Sequence, residues 1–207
     1  EKPIESGFRV ADVKKVVASP SLIVSSALAI LALSILFGKA YTFAPLSAKA
    51  LGASDMALSV ISMLAMAPVV FAAPMIDPLS KRFGPWPVVL AGFLIHTLAN
   101  AMMLGAPSLN VILVSQTLSG IGQGLVFPLL MGLSLSGIIQ ERRATAMGIY
   151  QASYGLGMFA GPYVMGLAGD SISLSASYGL ATALSVAGAA YVAYVIKGKR
   201  HVIAEEG

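Results

Sequence analysis

Residues 109–139 read LNVILVSQTLSGIGQGLVFPLLMGLSLSGII, a stretch without one charged side chain. As an α-helix it exceeds the ~20 residues needed to cross a ~30 Å hydrocarbon layer. It is too long for a barrel strand and lacks the alternation of one. Outward from it, equally apolar runs fill most of the chain, giving spans at about 21–46, 56–77, 86–106, 109–139, 144–169 and 174–196. Backbone inside lipid must satisfy its own hydrogen bonds, which leaves helices or closed barrels. The expected fold is therefore all-α, a polytopic membrane protein with six transmembrane helices. At 57% hydrophobic and 11% charged residues, the chain has too little polar material to cover a water-soluble surface.

The charges are one-sided. If the first span starts inside, the inside segments hold Lys2, Arg9, Lys14, Lys15, Lys81, Arg82, Arg142, Arg143, Lys197, Lys199 and Arg200. Lys39 falls within a span and Lys49 just outside one, while the opposite loops, Gly105–Asn110 and Asp170–Ser173, carry no positive charge. This asymmetry predicts that both ends of the chain are cytoplasmic. The net charge of +4 is thus a topology signal. No aromatic-interleaved basic surface argues for nucleic acid, and none is expected as a partner. Cysteine is absent, which excludes disulfides and Cys-based metal sites. The first residue is Glu and nothing near it resembles a secretory signal, so we expect a piece of a longer protein.

Ahead of the first span, Val10, Val13, Val16 and Val17 follow helical spacing with charges opposite, predicting an interfacial helix over a disordered tail. Ser19-Pro20 then opens the first span as N-cap and first-turn proline. An internal repeat is also visible. Phe71-Ala72-Ala73-Pro74-Met75-Ile76 matches Phe159-Ala160-Gly161-Pro162-Tyr163-Val164, and Phe43-Ala44-Pro45-Leu46 faintly matches Phe127-Pro128-Leu129 at nearly the same offset. Three spans per repeat place the second unit upside down, giving two inverted three-helix repeats, a construction rule of secondary transporters.

Over essentially its whole length the chain resembles the C-terminal six-helix half of a major facilitator superfamily transporter. The lead-in Ala18-Ser19-Pro20-Ser21-Leu22 resembles the end of that family's central cytoplasmic linker. Lys81-Arg82-Phe83-Gly84 resembles its basic loop signature, with Asp77 four residues before Lys81. Arg142-Arg143-Ala144-Thr145-Ala146-Met147-Gly148, then Gly157-Met158-Phe159-Ala160-Gly161-Pro162, is similar to its fifth helix, and Gly120-Ile121-Gly122-Gln123-Gly124 to its fourth. Two departures stand out: Lys81 occupies the usual acidic position of the loop signature, and Gln116 replaces the Arg that often precedes the glycine run. The resemblance implies residues 1–19 as cytoplasmic linker, 20–197 as the six-helix half and 198–207 as cytoplasmic tail. It also implies an integral membrane transporter, in a prokaryotic plasma membrane, whose other partner is an absent N-terminal half.

Several side chains are candidates for function. Gln116 and Gln123 lie seven apart on one helix face with Gly120 between and Ser134 continuing the stripe. Intramembrane amides need partners or water, so this stripe either hydrogen-bonds a neighbouring helix or lines a watery cavity. The resemblance implies the cavity. Lys39 has two open readings, snorkelling to the outer interface or facing the cavity toward an anionic substrate, with Tyr41 and Thr42 beside it. Tyr150, Gln151 and Tyr154 form a polar cluster that touches substrate or the other half. Gly155, Gly157, Gly161 and Gly166 with Pro162 predict a close-packed, bendable face, which also suits a rocking interface. His96 and Asn100, one turn apart, are expected to hydrogen-bond each other rather than hold a metal.

All carboxylates sit at span ends or outside, so a proton carrier would lie in the absent half, with His96 or Lys39 as fallback. An intramembrane serine protease fails because no suitable His follows in another span. Paired channel loops are absent, and the short inside loops leave little room to couple an ATPase. The expectation is a secondary transporter of small molecules, with organic anions as the candidate substrates, working by alternating access, with no catalysis, cofactor or metal. The alternatives are a multidrug-type exporter or a dimerising six-helix structural protein.

Overall fold

The computed structural model describes residues 10–105 and 108–205, with side chains described for 13–105 and 108–198. Among the described residues it is helical throughout, with no strand. After α1 (Val10–Val17) comes a continuous helix, Pro20–Ala50, built of α2 (Pro20–Ile35), a π-helical segment (Leu36–Phe43) and α3 (Ala44–Ala50). Then follow α4 (Asp55–Phe83), α5 (Pro85–Ala101), α6 (Leu109–Ser134), a 3-10 turn (Gln140–Arg142), α7 (Arg143–Ser171) and α8 (Leu174–Glu205). Pro20–Ala50, α4, α6 and the Leu174–Gly198 part of α8 are each long and apolar enough to cross a membrane. α5 is a shorter apolar helix of 17 residues. α7 has the length, 29 residues, but is richer in Gly and is interrupted by polar side chains such as Tyr150, Gln151, Ser153 and Tyr154.

Local chemistry sets the boundaries. Ser54 and Ser108 cap α4 and α6 by accepting from the backbone N–H of Ala57 and Val111 at 3.3 and 3.4 Å. Pro20 and Pro85 occupy first turns, where a missing N–H costs nothing. α4 continues past Asp77, because Lys81 and Arg82 in its last turn complement the carbonyl end of the helix. It stops at Gly84, whose φ of 86° is readily adopted only by glycine. The basic tetrapeptide is thus mostly the end of a helix, not a loop. Gly137, at φ 76°, turns the chain after α6 five residues sooner than composition suggests, since Leu135–Ile139 is apolar but not helical. α1 forms where helical spacing predicts it, with Val16 buried and Lys14 and Lys15 exposed. Residues 1–9, 106–107 and 206–207 lie outside the described backbone.

α6 packs between α4 and α5, α5 continues onto α8, and α2 lies against both α7 and α6. In the most apolar windows, 61% of Pro20–Ala50 and 56% of α6 are buried, against 22% of α4 and 28% of α8. The first helix and α6 are therefore the interior of the bundle. Both α4 and α7 turn apolar side chains outward. Phe71 and Phe159, the leading residues of the two matched hexapeptides, are 76% and 75% exposed.

Candidate functional site

The interior contact between the first helix and α6 is polar. A π-helix widens the register to i→i+5, and here Ala44 N–H donates back to Lys39 O. In that register Ala40 O would look for the N–H of residue 45. That residue is Pro45, which has none. Gln116 supplies the missing donor: its Nε2 donates to Ala40 O at 2.7 Å and to Ile61 O of α4 at 3.4 Å. Both amide protons are thereby committed, which fixes the orientation of the amide and leaves Oε1, an acceptor, facing away from these carbonyls.

Lys39 leaves the same π segment and turns inward, with 0% of its surface exposed. Its Nζ donates to Ser115 Oγ (2.7 Å), Ser119 Oγ (2.7 Å), Gln116 Oε1 (3.1 Å) and Ser115 O (3.3 Å). Ser115 Oγ passes its own proton to Ala99 O of α5 at 2.6 Å. Lys39 therefore does not snorkel; its charge end is enclosed by oxygens of α6. Nothing in the sequence marked Ser115 and Ser119 as its partners, although they share the face of Gln116 at one-turn spacing.

Beside this seam a cavity of about 510 Å³ opens between the first helix, α4 and α6. Leu36, Met63, Met66, Val70 and Phe127 give it an apolar wall, and Tyr41 and Gln123 are its polar members. Of the four residues expected around a substrate cavity, Tyr41 and Gln123 border this one, while Lys39 and Gln116 lie behind the wall. A second recess of about 550 Å³ lies near Asp77, Pro74, Pro85 and Pro128. Asp77, Lys81 and Arg82 are all exposed, and the Arg82 guanidinium sits 5.2 Å from the centre of the Phe83 ring.

His96 and Asn100 do not pair. Asn100 Nδ2 donates to Ala181 O and Ser185 Oγ of α8, both at 3.2 Å, so α8 outcompetes the neighbouring turn. His96 instead faces Gly122, where a Cβ would stand 3.2 Å from its Nε2. The His96 ring lies against the Gln123 side chain, and both ring nitrogens and Gln123 Oε1 are buried with no partner outside this pair.

The glycines explain how helices come this close. A Cβ on Gly157 or Gly161 would overlap the Ile30 or Ser34 carbonyl oxygen of α2. Ser34 Oγ donates to Gly157 O at 3.2 Å across the same contact. These glycines thus face the first helix of the bundle itself, while Pro162 is half-buried beside them. In α6, Gly120 and Gly124 abut α4, whereas Gly122 abuts α5 at Gly92. The tyrosine cluster also splits. Tyr150 and Tyr154 pack around Phe127 with ring centroids 5.4–6.4 Å apart, and Gln151 points outward.

The sequence profile of the Major Facilitator Superfamily matches residues 22–206. The chain belongs to that superfamily. It is 37% identical over 116 residues to the class C tetracycline resistance protein of Escherichia coli, covering 55% of this chain and 28% of that protein. It is 32% identical over 111 residues to the class G tetracycline resistance protein of Vibrio anguillarum, covering 54% and 28%. Each match thus spans little more than a quarter of the relative's length. Membership makes the chain an integral membrane protein of a carrier family.

Proposed function

We propose that the chain is the C-terminal half of a twelve-helix secondary transporter that exports lipophilic, drug-type small molecules by alternating access. The observation that carries this reading is the wall of the 510 Å³ cavity, apolar but for Tyr41 and Gln123. Pockets that take amphiphilic molecules are mostly apolar with few placed polar groups. An organic-anion carrier would need a free cation in that wall, and Lys39 spends its donors on α6. The printed names of the tetracycline resistance relatives support the export reading. In this arrangement the absent half covers the outward apolar faces of α4 and α7, and the two three-helix repeats are inverted. Both ends of the segment lie on the cytoplasmic side of a bacterial plasma membrane, with Lys81, Arg82 and Arg143 on that side. The protein moves its substrate without a chemical step.

The test is reconstitution of the full-length protein in proteoliposomes, comparing tetracycline with benzoate. Tetracycline flux reduced about tenfold by Gln123→Leu, with benzoate not carried, is the expected result. Benzoate flux with no tetracycline flux would return the organic-anion reading.

A further inference from the structure

The Lys39 socket has a property that a purely structural cross-link does not need. Among the described residues, no carboxylate accompanies this buried amine: Asp55, Asp77, Glu141 and Asp170 are all exposed. The acceptors around Nζ can instead be sorted by where their own protons go. Ser115 Oγ is committed as an acceptor, because its hydrogen is given to Ala99 O. Gln116 Oε1 is committed because its amide protons are given to Ala40 O and Ile61 O. Ser115 O is a carbonyl and can only accept. Ser119 Oγ alone, at 2.7 Å, is free to reverse and donate.

An ammonium has three N–H donors, and the socket offers three fixed acceptors plus the Ser119 oxygen. A neutral amine has two N–H donors and one lone pair. The fixed acceptors still take the two donors, and the Ser119 hydroxyl turns to donate to the lone pair. The Lys39 nitrogen is therefore fully hydrogen-bonded in either protonation state, with a hydroxyl rotation between them.

One helical turn further along α6 lies a second polar layer. Gln123 follows Ser119 by four residues and borders the cavity, and His96 sits against Gly122. His96 is itself one turn from Ala99, the acceptor at the end of the Ser115 bond. The buried ring nitrogens of His96 and Oε1 of Gln123, with no partner outside this pair, are the polar atoms of this layer, which reaches the cavity through Gln123. The remaining titratable groups on the elements packed against the π segment are otherwise engaged or distant. Tyr178 on α8 hydrogen-bonds Ser47 and donates to Phe43 O, Tyr150 and Tyr154 on α7 surround Phe127, and Lys49 on α3 is exposed. Tyr41, in the π segment itself, edges onto Phe37.

We infer that Lys39 is an exchangeable proton-binding site that couples transport to a proton gradient, with Ser119 as its switchable partner and His96–Gln123 as the way to the cavity. The inference rests on the transporter reading above. In the release step one N–H bond of the ammonium breaks, its electron pair stays on Nζ, and the proton leaves to cavity water; uptake is the reverse. The π segment supplies the mechanical link, since Lys39 is one of the bonds that ties this widened turn to α6.

The experiment uses the full-length protein in proteoliposomes with tetracycline as probe, comparing wild type, Lys39→Met and Lys39→Arg. Methionine carries no exchangeable proton and arginine does not release its own. Exchange of labelled tetracycline at equal pH is read beside accumulation driven by an imposed pH gradient. The expected result is exchange within about threefold of wild type in both variants, while gradient-driven accumulation falls about tenfold or more. Equal loss in both modes would make Lys39 a structural cross-link only, and undiminished gradient-driven accumulation in either variant would equally overturn the inference. A wild type that moves tetracycline in neither mode would sink the export reading instead. The proton site is then decided separately by 15N NMR of lysine-labelled protein in lipid, with the Lys39 signal assigned by its absence in Lys39→Met. A signal that passes between ammonium and amine forms over the working pH range supports the site, and one fixed in either form refutes it.

Discussion

The first helix meets its two main neighbours in opposite ways. Against α7 it makes a contact chiefly of shape, with Gly157 and Gly161 bringing backbone onto the backbone of Ile30 and Ser34 and a single side-chain bond, Ser34 Oγ to Gly157 O, across it. Against α6, along the π segment, it makes a contact of hydrogen bonds, from Lys39 to Ser115, Gln116 and Ser119 and from Gln116 to Ala40. In lipid no hydrophobic driving force separates the two, so close packing and interhelical polar bonds are what remain. The packed contact has no second arrangement, because backbone atoms cannot rotate out of the way. The polar contact has several, since hydroxyls turn and an amine can gain or lose a proton. One side of this helix is built to stay put and the other to change.

The comparison breaks hardest at Gly161. A valine there would drive its Cβ into Ser34, whose Cα and C stand 2.6 and 2.8 Å from that position. Overpacking against yielding side chains costs about 1–3 kcal/mol, and more where backbone must move. Gly161→Val is expected to abolish recovery of monodisperse protein from detergent extracts. A variant that extracts and melts like wild type would mean that α2 and α7 are not locked together.

Next in size is Lys39→Ala. It strips the donor from the fixed acceptors of α6 and leaves a gap where the alkyl stem ran. About 1–3 kcal/mol of destabilisation follows from orphaned buried acceptors, read as a lowered melting temperature with folding retained. Lys39→Met should lose less, because its chain fills the space of the stem.

Gln116→Leu sharpens the argument, because its cost has an address. It should destabilise by about 1–2 kcal/mol, largely by orphaning Ala40 O. That carbonyl is free only because residue 45 is proline. Pro45→Ala in the same chain returns an N–H within the i→i+5 register, so a thermal-melt double-mutant cycle should show the Gln116→Leu penalty shrinking by about half or more. Purely additive effects would refute the assignment of Pro45 as the origin of this bond.

These details differ in how far sequence could reach them. The helical, membrane-embedded class was legible because it rests on composition and run length, which packing does not alter. The π segment was not, because a helix apolar on nearly every side gives no periodic signal to shift. Pro45 five residues after Ala40 is the sole trace of it in the sequence. Lys39 can be read from the sequence only as lying within a span, and position along a helix says nothing of the direction a side chain takes when nearly all sides are apolar. For the same reason the shared face of Gln116 and Gln123 was readable from their spacing, but which neighbour each would meet was not. His96 and Asn100 show the same limit. Their one-turn spacing suggested a pair, and the carbonyl of Ala181 on another helix took the amide.

The smallest expected effect bears on the faces that this bundle leaves uncovered. Gly155 lies on α7 between the locked glycines and the outward Leu156 and Phe159, and a Cβ added there meets nothing within 4 Å. In this chain alone, Gly155→Ala should raise helix stability by up to about 1 kcal/mol, since alanine loses less backbone freedom than glycine. In the full-length protein the sign depends on what covers α7. If a second six-helix half packs on this face by the same small-residue logic that joins α7 to α2, the added methyl meets a neighbour and the gain turns into a loss. Melting the two lengths of protein with and without the substitution therefore asks whether α7 is gripped by glycine on one side or on both. A gain of equal size in each would leave the outward face of α7 to lipid and move the partner's contact to α4.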